Sequence, residues 1–235
     1  MRLALVNVAV MVGLVGVSHA QLRCSIAPAD VFAPIIKPPD QVLKKPADYF
    51  LLSLSWSPQF CTTKPGKAPQ NAFQCRENSF GFVVHGFWPE AADAKNDHDH
   101  PRNCHDTAPI VQDTLRKYLC LIPGVQLMQD EWAKHGTCSY DSPEEYFSTI
   151  ESIIGRLHLP DVDQMSGSNG VRAMDLIEAF LDINPGLTPS AMQLNVRGKR
   201  LNEIHICYDS NLAFRNCDPC ADATDKRRIL ITKKP

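Results

Sequence analysis

The chain has 235 residues, of which 44% are hydrophobic and 21% are charged, and its formal net charge is −2 at pH 7. This balance is ordinary for one globular domain with a sizeable core. It argues against a strongly basic protein that coats nucleic acid by counterion release. Seven of the eight histidines follow residue 20. In acid their imidazoles become charged, so the chain after residue 20 would become cationic and would bind a polyanion more tightly.

The first 20 residues have the pattern of a secretory signal peptide. Arg2 precedes a long apolar run, and small residues stand at Ser18 and Ala20. The pattern predicts cleavage after Ala20 and export to the periplasm or the medium, with no membrane attachment afterwards. A membrane anchor is the alternative interpretation of the same run.

Nine cysteines agree with export, because disulfides persist outside the cytosol. Nine is an odd number, so at least one cysteine is expected to be free or bonded to another molecule. They are Cys24, Cys61, Cys75, Cys104, Cys120, Cys138, Cys207, Cys217 and Cys220.

Residues 21–46 are rich in proline and have little periodicity, which predicts an extended N-terminal extension before a globular domain at 47–235. The elements predicted within that domain are strands at 49–56 and 79–88, helices at 107–119, 143–157 and 170–183, and strands at 203–209 and 228–233. Thr107 is expected to cap the first helix, and Ser142 to cap the second with Glu145 at the capping-box position. Since no βαβ alternation is present, we predict an α+β fold with a mainly antiparallel sheet packed against helices.

The stretch DEWAKHGTC, residues 130–138, concentrates side chains that can do chemistry. Helical spacing places Glu131, Lys134 and His135 on one face, either as a solvated strip of ion pairs or as an active site. A second stretch, FVVHGFWPE at 82–90, puts His85 on an apolar strand, where a lone histidine is more often structural. Two imidazoles, a lysine and a glutamate are nevertheless what metal-free RNA cleavage requires. One imidazole removes the ribose 2′-OH proton and the other protonates the leaving 5′-oxygen.

Together the two stretches resemble the paired active-site segments of the ribonuclease T2 family, the acid endoribonucleases. The family's first segment reads approximately F-x-x-H-G-L-W-P, and the second H-E-W-x-K-H-G-x-C. This chain has Phe82 and HGFWP at 85–89, with Phe87 where Leu is usual, and EWAKHGTC at 131–138. Further similarity lies in LSLSWSPQFC, in Asn103-Cys104 and in EIHICYDSNLAFRNC, so the resemblance covers most of 49–235.

The resemblance implies a role for each residue of the site. His135 would be the general base and His85 the general acid, with Glu131 and Lys134 stabilising the phosphorane. Single-stranded RNA would be cut to a 2′,3′-cyclic phosphate and then to a 3′-phosphate, without metal or cofactor. DNA, which lacks the 2′-OH, would be inert. The protein is expected to work as a monomer.

Substrate-binding residues and disulfides follow from the same resemblance. Trp88 matches a position that stacks on a base, although core packing is an equal alternative, and Glu90 matches an acidic contact to a base. Low base specificity is expected because every base has a π-face. Trp132 is expected in the core. The implied disulfides are Cys61–Cys75, Cys104–Cys138 and Cys207–Cys217, which leaves Cys24, Cys120 and Cys220 without assigned partners.

Position 130 departs from the family pattern. The family usually has a histidine there that helps to hold the substrate phosphate, and an ionised Asp130 would repel it. Either another group, such as His105 or an arginine, contacts the phosphate, or the enzyme is weakened. We favour an active enzyme, because His85 and the EWAKH run are intact.

Three other interpretations remain open from the sequence. His98, His100, Cys104 and His105 could bind zinc or copper, although a solvated loop is the simpler interpretation. CDPC at 217–220 resembles a redox motif, but it follows a strand near the C-terminus rather than opening a domain. A catalytically silent RNA-binding relative is supported only by Asp130.

Overall fold

The computed structural model describes residues 24–217 and 227–234. The predicted signal peptide and Cys220 lie outside these residues, and so does most of the CDPC motif. Within the described residues, no helix combines the length and the apolar character that a bilayer span requires.

The main sheet has four antiparallel strands in the order β2-β1-β5-β4, and a small second sheet pairs β3 with β6. The strands are β1 Tyr49–Trp56, β2 Phe82–Glu90, β3 Val171–Arg172, β4 Met192–Arg197, β5 Arg200–Tyr208 and β6 Arg228–Ile229. The α+β prediction with an antiparallel sheet is confirmed. Strand β4 was missed because its sequence, MQLNVR, has little β-branched or aromatic character.

The described part of the chain contains five α-helices. They are α1 Ser57–Thr62, α2 Gln112–Tyr118, α3 Val125–Lys134, α4 Pro143–Arg156 and α5 Ala173–Leu181. Helix α4 begins as predicted, since Ser142 Oγ accepts a hydrogen bond from the Glu145 amide at 3.2 Å. The prediction that Thr107 caps a helix is wrong. Helix α2 begins at Gln112 after Val111, which offers no capping side chain.

The two faces of the sheet differ in chemistry because side chains alternate along each strand. In β1, Leu52 and Leu54 point into the main core, where they meet the buried aromatic side chains of α2 and α4. The alternate residues Ser53 and Ser55 lie on the opposite face. That face also carries Glu203 and His205 of β5, which are paired with these serines in the register. A polar stripe therefore crosses the centre of the sheet, and His85 of β2 reaches it by contacting Glu203.

The N-terminal segment, residues 24–46, is extended as predicted, but it is bound along the domain rather than leading away from it. Cys24 is disulfide-bonded to Cys120, and the Ile35 amide donates to Gln126 Oε1 of α3 at 2.9 Å. The segment ends in an antiparallel bridge between Leu43 and Arg102. It therefore forms part of the surface beside α3.

Four disulfides are present among the described residues. Three of them are the pairs that the resemblance implies: Cys61–Cys75, Cys104–Cys138 and Cys207–Cys217. The fourth is Cys24–Cys120, for which the sequence offered no assignment. Its two cysteines are 96 residues apart, and only the path of the N-terminal segment across the domain brings them together.

Candidate active site

His85 occupies an irregular position in β2. The register between β1 and β2 shifts at Ser53/Leu54, so that Ser53 pairs with Gly86, Leu54 pairs with Val84, and His85 is the extra residue between them. Such a β-bulge re-aims a side chain, and bulges are frequent next to active sites. The His85 ring reaches two carboxylates: Nδ1 lies 2.7 Å from Glu203 Oε1, and Nε2 lies 3.5 Å from Glu131 Oε1.

His135 follows directly after the last residue of α3, and its amide donates to the Glu131 carbonyl at 2.9 Å. A disulfide holds this end of the helix. Cys138 is bonded to Cys104, and the neighbouring Asn103 amide donates to the Lys134 carbonyl at 2.8 Å. The loop after β2 is thereby joined to the last turn of α3. A covalent bond and a backbone contact thus join the two segments that carry the predicted site residues.

Glu131 and Trp88 connect α3 to β2. Trp88 Nε1 donates to Glu131 Oε2 at 2.7 Å. Gly86 makes this contact possible, because a Cβ there would lie 2.0 Å from Glu131 Oε2 and 2.3 Å from Trp88 Nε1. Any other residue at position 86 would push the helix or the indole away from the strand.

The Trp88 ring lies among three imidazoles. It is stacked on His135 with a centroid distance of 5.4 Å, and it meets His85 and His205 edge-on at 5.3 and 5.6 Å. These contacts favour a role in holding the catalytic groups, while stacking of Trp88 on a base stays a prediction. Trp132, as expected, is buried in the core, where it packs against Tyr146.

The pKa values of the two imidazoles, His85 and His135, are shifted in opposite directions. Burial disfavours the charged form of His85, but the nearby Glu131 and Glu203 carboxylates outweigh burial and raise its pKa. For His135, burial and the positive charge of Lys134 act in the same direction and lower its pKa well below the ordinary value. Glu131 is itself buried, which raises its pKa against the attraction of His85. The site therefore holds one imidazole that favours the protonated form and one that favours the neutral form.

The two other predicted substrate-binding residues have partners within the protein. Glu90 is buried at the end of β2, and His100 Nδ1 lies 2.7 Å from its Oε2. Asp130 forms an exposed ion pair with Lys37 of the N-terminal segment, at 2.5 Å, and accepts a hydrogen bond from Gln126 at 2.8 Å. Contacts of Glu90 and Asp130 with substrate stay predictions.

Lys37 was not identified from the sequence, since nothing in a Pro-rich segment predicts where it will lie. It lines a cavity of about 230 Å³ together with Asn103, Asp130 and Lys134. The cavity borders the catalytic lysine. Lys37 thus brings a second cation beside the helix face that carries Asp130.

The histidine-rich loop at 96–105 gives no support to a metal site. Cys104 is used in a disulfide, His100 is paired with Glu90, and His98 Nδ1 lies 3.4 Å from the Arg102 guanidinium. Among the residues that the structure describes, no group of three or more potential ligands is arranged to hold a metal ion.

Glu203 is the site residue that the sequence analysis missed. It contacts His85 directly, yet it lies 118 residues further along the chain in β5. One signal was available: EIHICYD alternates polar and apolar residues, so Glu203, His205 and Cys207 share the face opposite the isoleucines. By itself this pattern predicts a strand, and it does not say which residue the Glu203 carboxylate will contact.

Fold and site together indicate a class of protein: an antiparallel α+β fold in which His85 of a strand lies beside Glu131, Lys134 and His135 at the end of a helix, a set of groups suited to acid–base chemistry. Comparison with known proteins specifies the family. Residues 47–217 match the model of the Ribonuclease T2 family, and the chain belongs to this family. The resemblance inferred from the two motifs is confirmed.

Two bacterial relatives are similar over most of the chain. A probable ribonuclease of Haemophilus influenzae is 36% identical over 184 residues, which is 75% of this chain and 63% of that protein. The match thus spans less than two thirds of that relative's length. A ribonuclease of Aeromonas hydrophila is 34% identical over 197 residues, covering 80% of this chain and 83% of that one.

Solved structures show the same fold at low sequence identity. The RNase-related protein from Calystegia sepium has a TM-score of 0.60 and 22% identity, covering 81% of this chain and 98% of that chain. RNase NT in complex with 5′-AMP has a TM-score of 0.58 and 17% identity, covering 81% of this chain and all of that chain.

Proposed function

We propose that the protein is a metal-independent endoribonuclease that cleaves single-stranded RNA by transphosphorylation. The observation that carries this proposal is that His85 and His135, which both contact the Trp88 ring, have pKa values shifted in opposite directions. A base must be neutral and an acid must be protonated at the same pH, and the two environments favour these states.

In the first step, His135 removes the proton from the ribose 2′-OH, and the 2′-oxygen forms a bond to phosphorus. The bond from phosphorus to the 5′-oxygen breaks, and His85 gives its proton to that leaving oxygen. His135 Nδ1 is buried with no partner among the described residues, which leaves Nε2 as the nitrogen that can reach the 2′-OH. The product is a 2′,3′-cyclic phosphate.

In the second step, water opens the cyclic phosphate with the histidine roles reversed. His85 removes a proton from water, the new phosphorus–oxygen bond forms, and His135 protonates the departing 2′-oxygen. Lys134 stabilises the negative charge on the phosphorane in both steps, and Glu131, held by Trp88 Nε1, lies beside His85 Nε2. The end product carries a 3′-phosphate.

Low base specificity is part of the proposal. Trp88 contacts three imidazoles, and the Glu90 carboxylate is buried against His100. Neither group, in these positions, offers a free hydrogen-bonding edge that would select one base. Digestion of homopolymer RNAs should show rates within about one order of magnitude of one another, because stacking tolerates every base.

Two RNA oligonucleotides of the same sequence test the mechanism when they are digested in EDTA. One is all ribose, and the other has 2′-deoxyribose at one position. We expect cuts at every linkage except the one that follows the deoxyribose, with 2′,3′-cyclic ends seen by mass spectrometry. Cutting after the deoxyribose, or loss of activity in EDTA, would show that the mechanism is wrong. His158→Ala is the matched control for histidine variants, because His158 is exposed and its backbone alone contacts Asn184.

We also propose that the mature protein acts outside the cytosol, in the periplasm or the medium. Four disulfides support this location, since thiols are kept reduced in the cytosol. N-terminal sequencing of protein from the periplasmic and extracellular fractions should begin at Gln21. Recovery of the full-length chain from membranes would favour the anchor interpretation instead.

A further inference from the structure

Glu203 has a buried carboxylate, and both of its oxygens have polar partners. Its side chain is 9% exposed. Oε1 accepts a hydrogen bond from Ser55 Oγ at 2.9 Å and lies 2.7 Å from His85 Nδ1. Oε2 accepts from Asn195 Nδ2 at 3.0 Å and lies 3.4 Å from His205 Nε2. The carboxylate is therefore held in one orientation from three sides.

The sheet itself sets this position. Glu203 is paired with Ser55 of β1 on one side and with Asn195 of β4 on the other, so its two support residues are its direct neighbours in the register. Since same-face partners in an antiparallel pair lie about 5 Å apart, short polar side chains suffice to reach the carboxylate. His85, at the bulge of β2, reaches it across β1.

We propose that Glu203 is a positioning residue for RNA cleavage: it orients the His85 ring and keeps the proton on Nδ1, so that Nε2 is the nitrogen that exchanges protons with the substrate. The proposal rests on the function proposed above. An ionised carboxylate can only accept a hydrogen bond, so His85 Nδ1 must be the donor of the 2.7 Å contact. When His85 gives its Nε2 proton to the 5′-oxygen, the neutral ring that remains is the Nδ1–H tautomer, which Glu203 stabilises.

The charged groups that face His85 come from two elements, α3 and β5. Glu131 of α3 lies on the Nε2 side and favours the charge of the ring, while the ammonium of Lys134 on the same helix disfavours it. Glu203 of β5 lies on the Nδ1 side, and His205 shares the Glu203 carboxylate. Despite burial, hydrogen bonds from His205 and His85 hold the pKa of Glu203 far below its usual range. Glu203 therefore stays ionised throughout the pH range in which His85 titrates.

Glu203→Gln is the sharpest substitution, because it removes the charge and preserves the shape of the side chain. Without that charge the pKa of His85 should fall, since an ionised carboxylate at hydrogen-bond distance favours the protonated ring. We expect the basic limb of kcat/KM to move down by about one pH unit, with the acid limb unmoved. The value of kcat should fall about 10- to 100-fold, while KM should change little.

Glu144→Gln is the matched control, because it removes the same charge from α4, where Glu144 is paired with Lys117. Its pH profile should equal that of the parent. A thermal unfolding curve of each variant separates lost stability from lost positioning. A Glu203→Gln enzyme that is folded and keeps the parent basic limb would overturn the proposal, because a purely structural role would leave that limb in place.

A measurement on the unaltered protein keeps the proposal testable even if Glu203→Gln fails to fold. Nitrogen-15 NMR of the histidine rings, recorded without RNA above the pKa of His85, should show its neutral form as the Nδ1–H tautomer. An Nε2–H tautomer would overturn the positioning role. Because this measurement needs no substrate, a failure to cleave RNA would count against the proposed function and not against the tautomer.

Discussion

His85 and His135 are the same residue type within one site, and burial and Lys134 disfavour the charge of both, yet only His85 has carboxylates against its ring. His85 lies on a strand between two carboxylates, and both ring nitrogens face one. His135 lies at the end of a helix beside the positive charge of Lys134, with Nδ1 buried and unpartnered among the described residues. Burial and neighbouring charges, rather than residue type, thus favour His85 as the proposed acid and His135 as the proposed base.

The difference has a consequence for the pH dependence of the enzyme. The rate kcat/KM requires neutral His135 and protonated His85, so it should rise with pH through the lowered pKa of His135. It should then fall as pH increases through the raised pKa of His85. The pH profile of kcat/KM should therefore have its acid limb below pH 6.5 and its basic limb above pH 6.5, where 6.5 is the ordinary pKa of imidazole.

Removing either imidazole should have the largest effect on activity. His85→Ala and His135→Ala should each lower kcat by about 10²- to 10⁴-fold, because each deletes one proton transfer. Single-turnover cleavage of a short RNA measures the loss, with far-UV circular dichroism as the test of folding and His158→Ala as the control. A folded variant that retains more than about a tenth of the parent rate would mean that the assigned residue is wrong.

Opening the Cys104–Cys138 disulfide should affect the His135 side more than the His85 side. The double change Cys104→Ser and Cys138→Ser removes a bridge between residues 34 apart and should lower the free energy of unfolding by about 2–5 kcal/mol. Urea titration measures this loss. Cys61→Ser with Cys75→Ser is the matched control, since that bridge lies outside the site.

The two disulfide variants should also differ in catalysis. At temperatures where both are folded, only the loss of Cys104–Cys138 should lower kcat, because only that bridge holds the turn after His135. Equal kcat in the two variants would mean that the bridge supports stability alone.

Lys134→Met tests the charge that lies beside His135. Its positive charge lowers the pKa of both imidazoles, so its removal should move both limbs of the pH profile to higher pH. The rate should also fall, by about 10²-fold, because one group that stabilises the phosphorane is gone. Glu203→Gln, in contrast, should move the basic limb alone and in the opposite direction. An acid limb that stays in place in Lys134→Met would mean that burial by itself sets the pKa of His135.

Asp130 should give the smallest effect, because it is exposed and paired with Lys37. Asp130→Asn removes a charge that repels phosphate and frees Lys37, so KM should fall by about two- to tenfold at low salt and less at high salt. Asp130→His should bind substrate more tightly still in acid, where the new imidazole is charged. If both variants raise KM, Asp130 acts by anchoring Lys37 and the N-terminal segment, and its interpretation as a missing phosphate contact is wrong.

The local pattern of the sequence was sufficient for strands β1, β2 and β5 and for the two motifs. Strand β1 has the predicted bounds, and α4 begins after the predicted Ser142 cap, because alternation and capping depend on neighbouring residues. Local pattern was misleading for Thr107, which precedes an irregular segment before α2. It was insufficient for β4, which pairs with β5 although its own residues favour a strand only weakly.

By itself, the sequence determined the class of chemistry, since two histidines, a lysine and a glutamate in two recognisable motifs indicate metal-free RNA cleavage. Only the tertiary structure decided what each of these groups experiences. The bulge that re-aims His85, the Glu203 carboxylate behind it and the Lys37 partner of Asp130 all depend on contacts between distant segments. A proton's affinity for a side chain is set by charges within a few ångströms, and a linear sequence does not say which charges those will be.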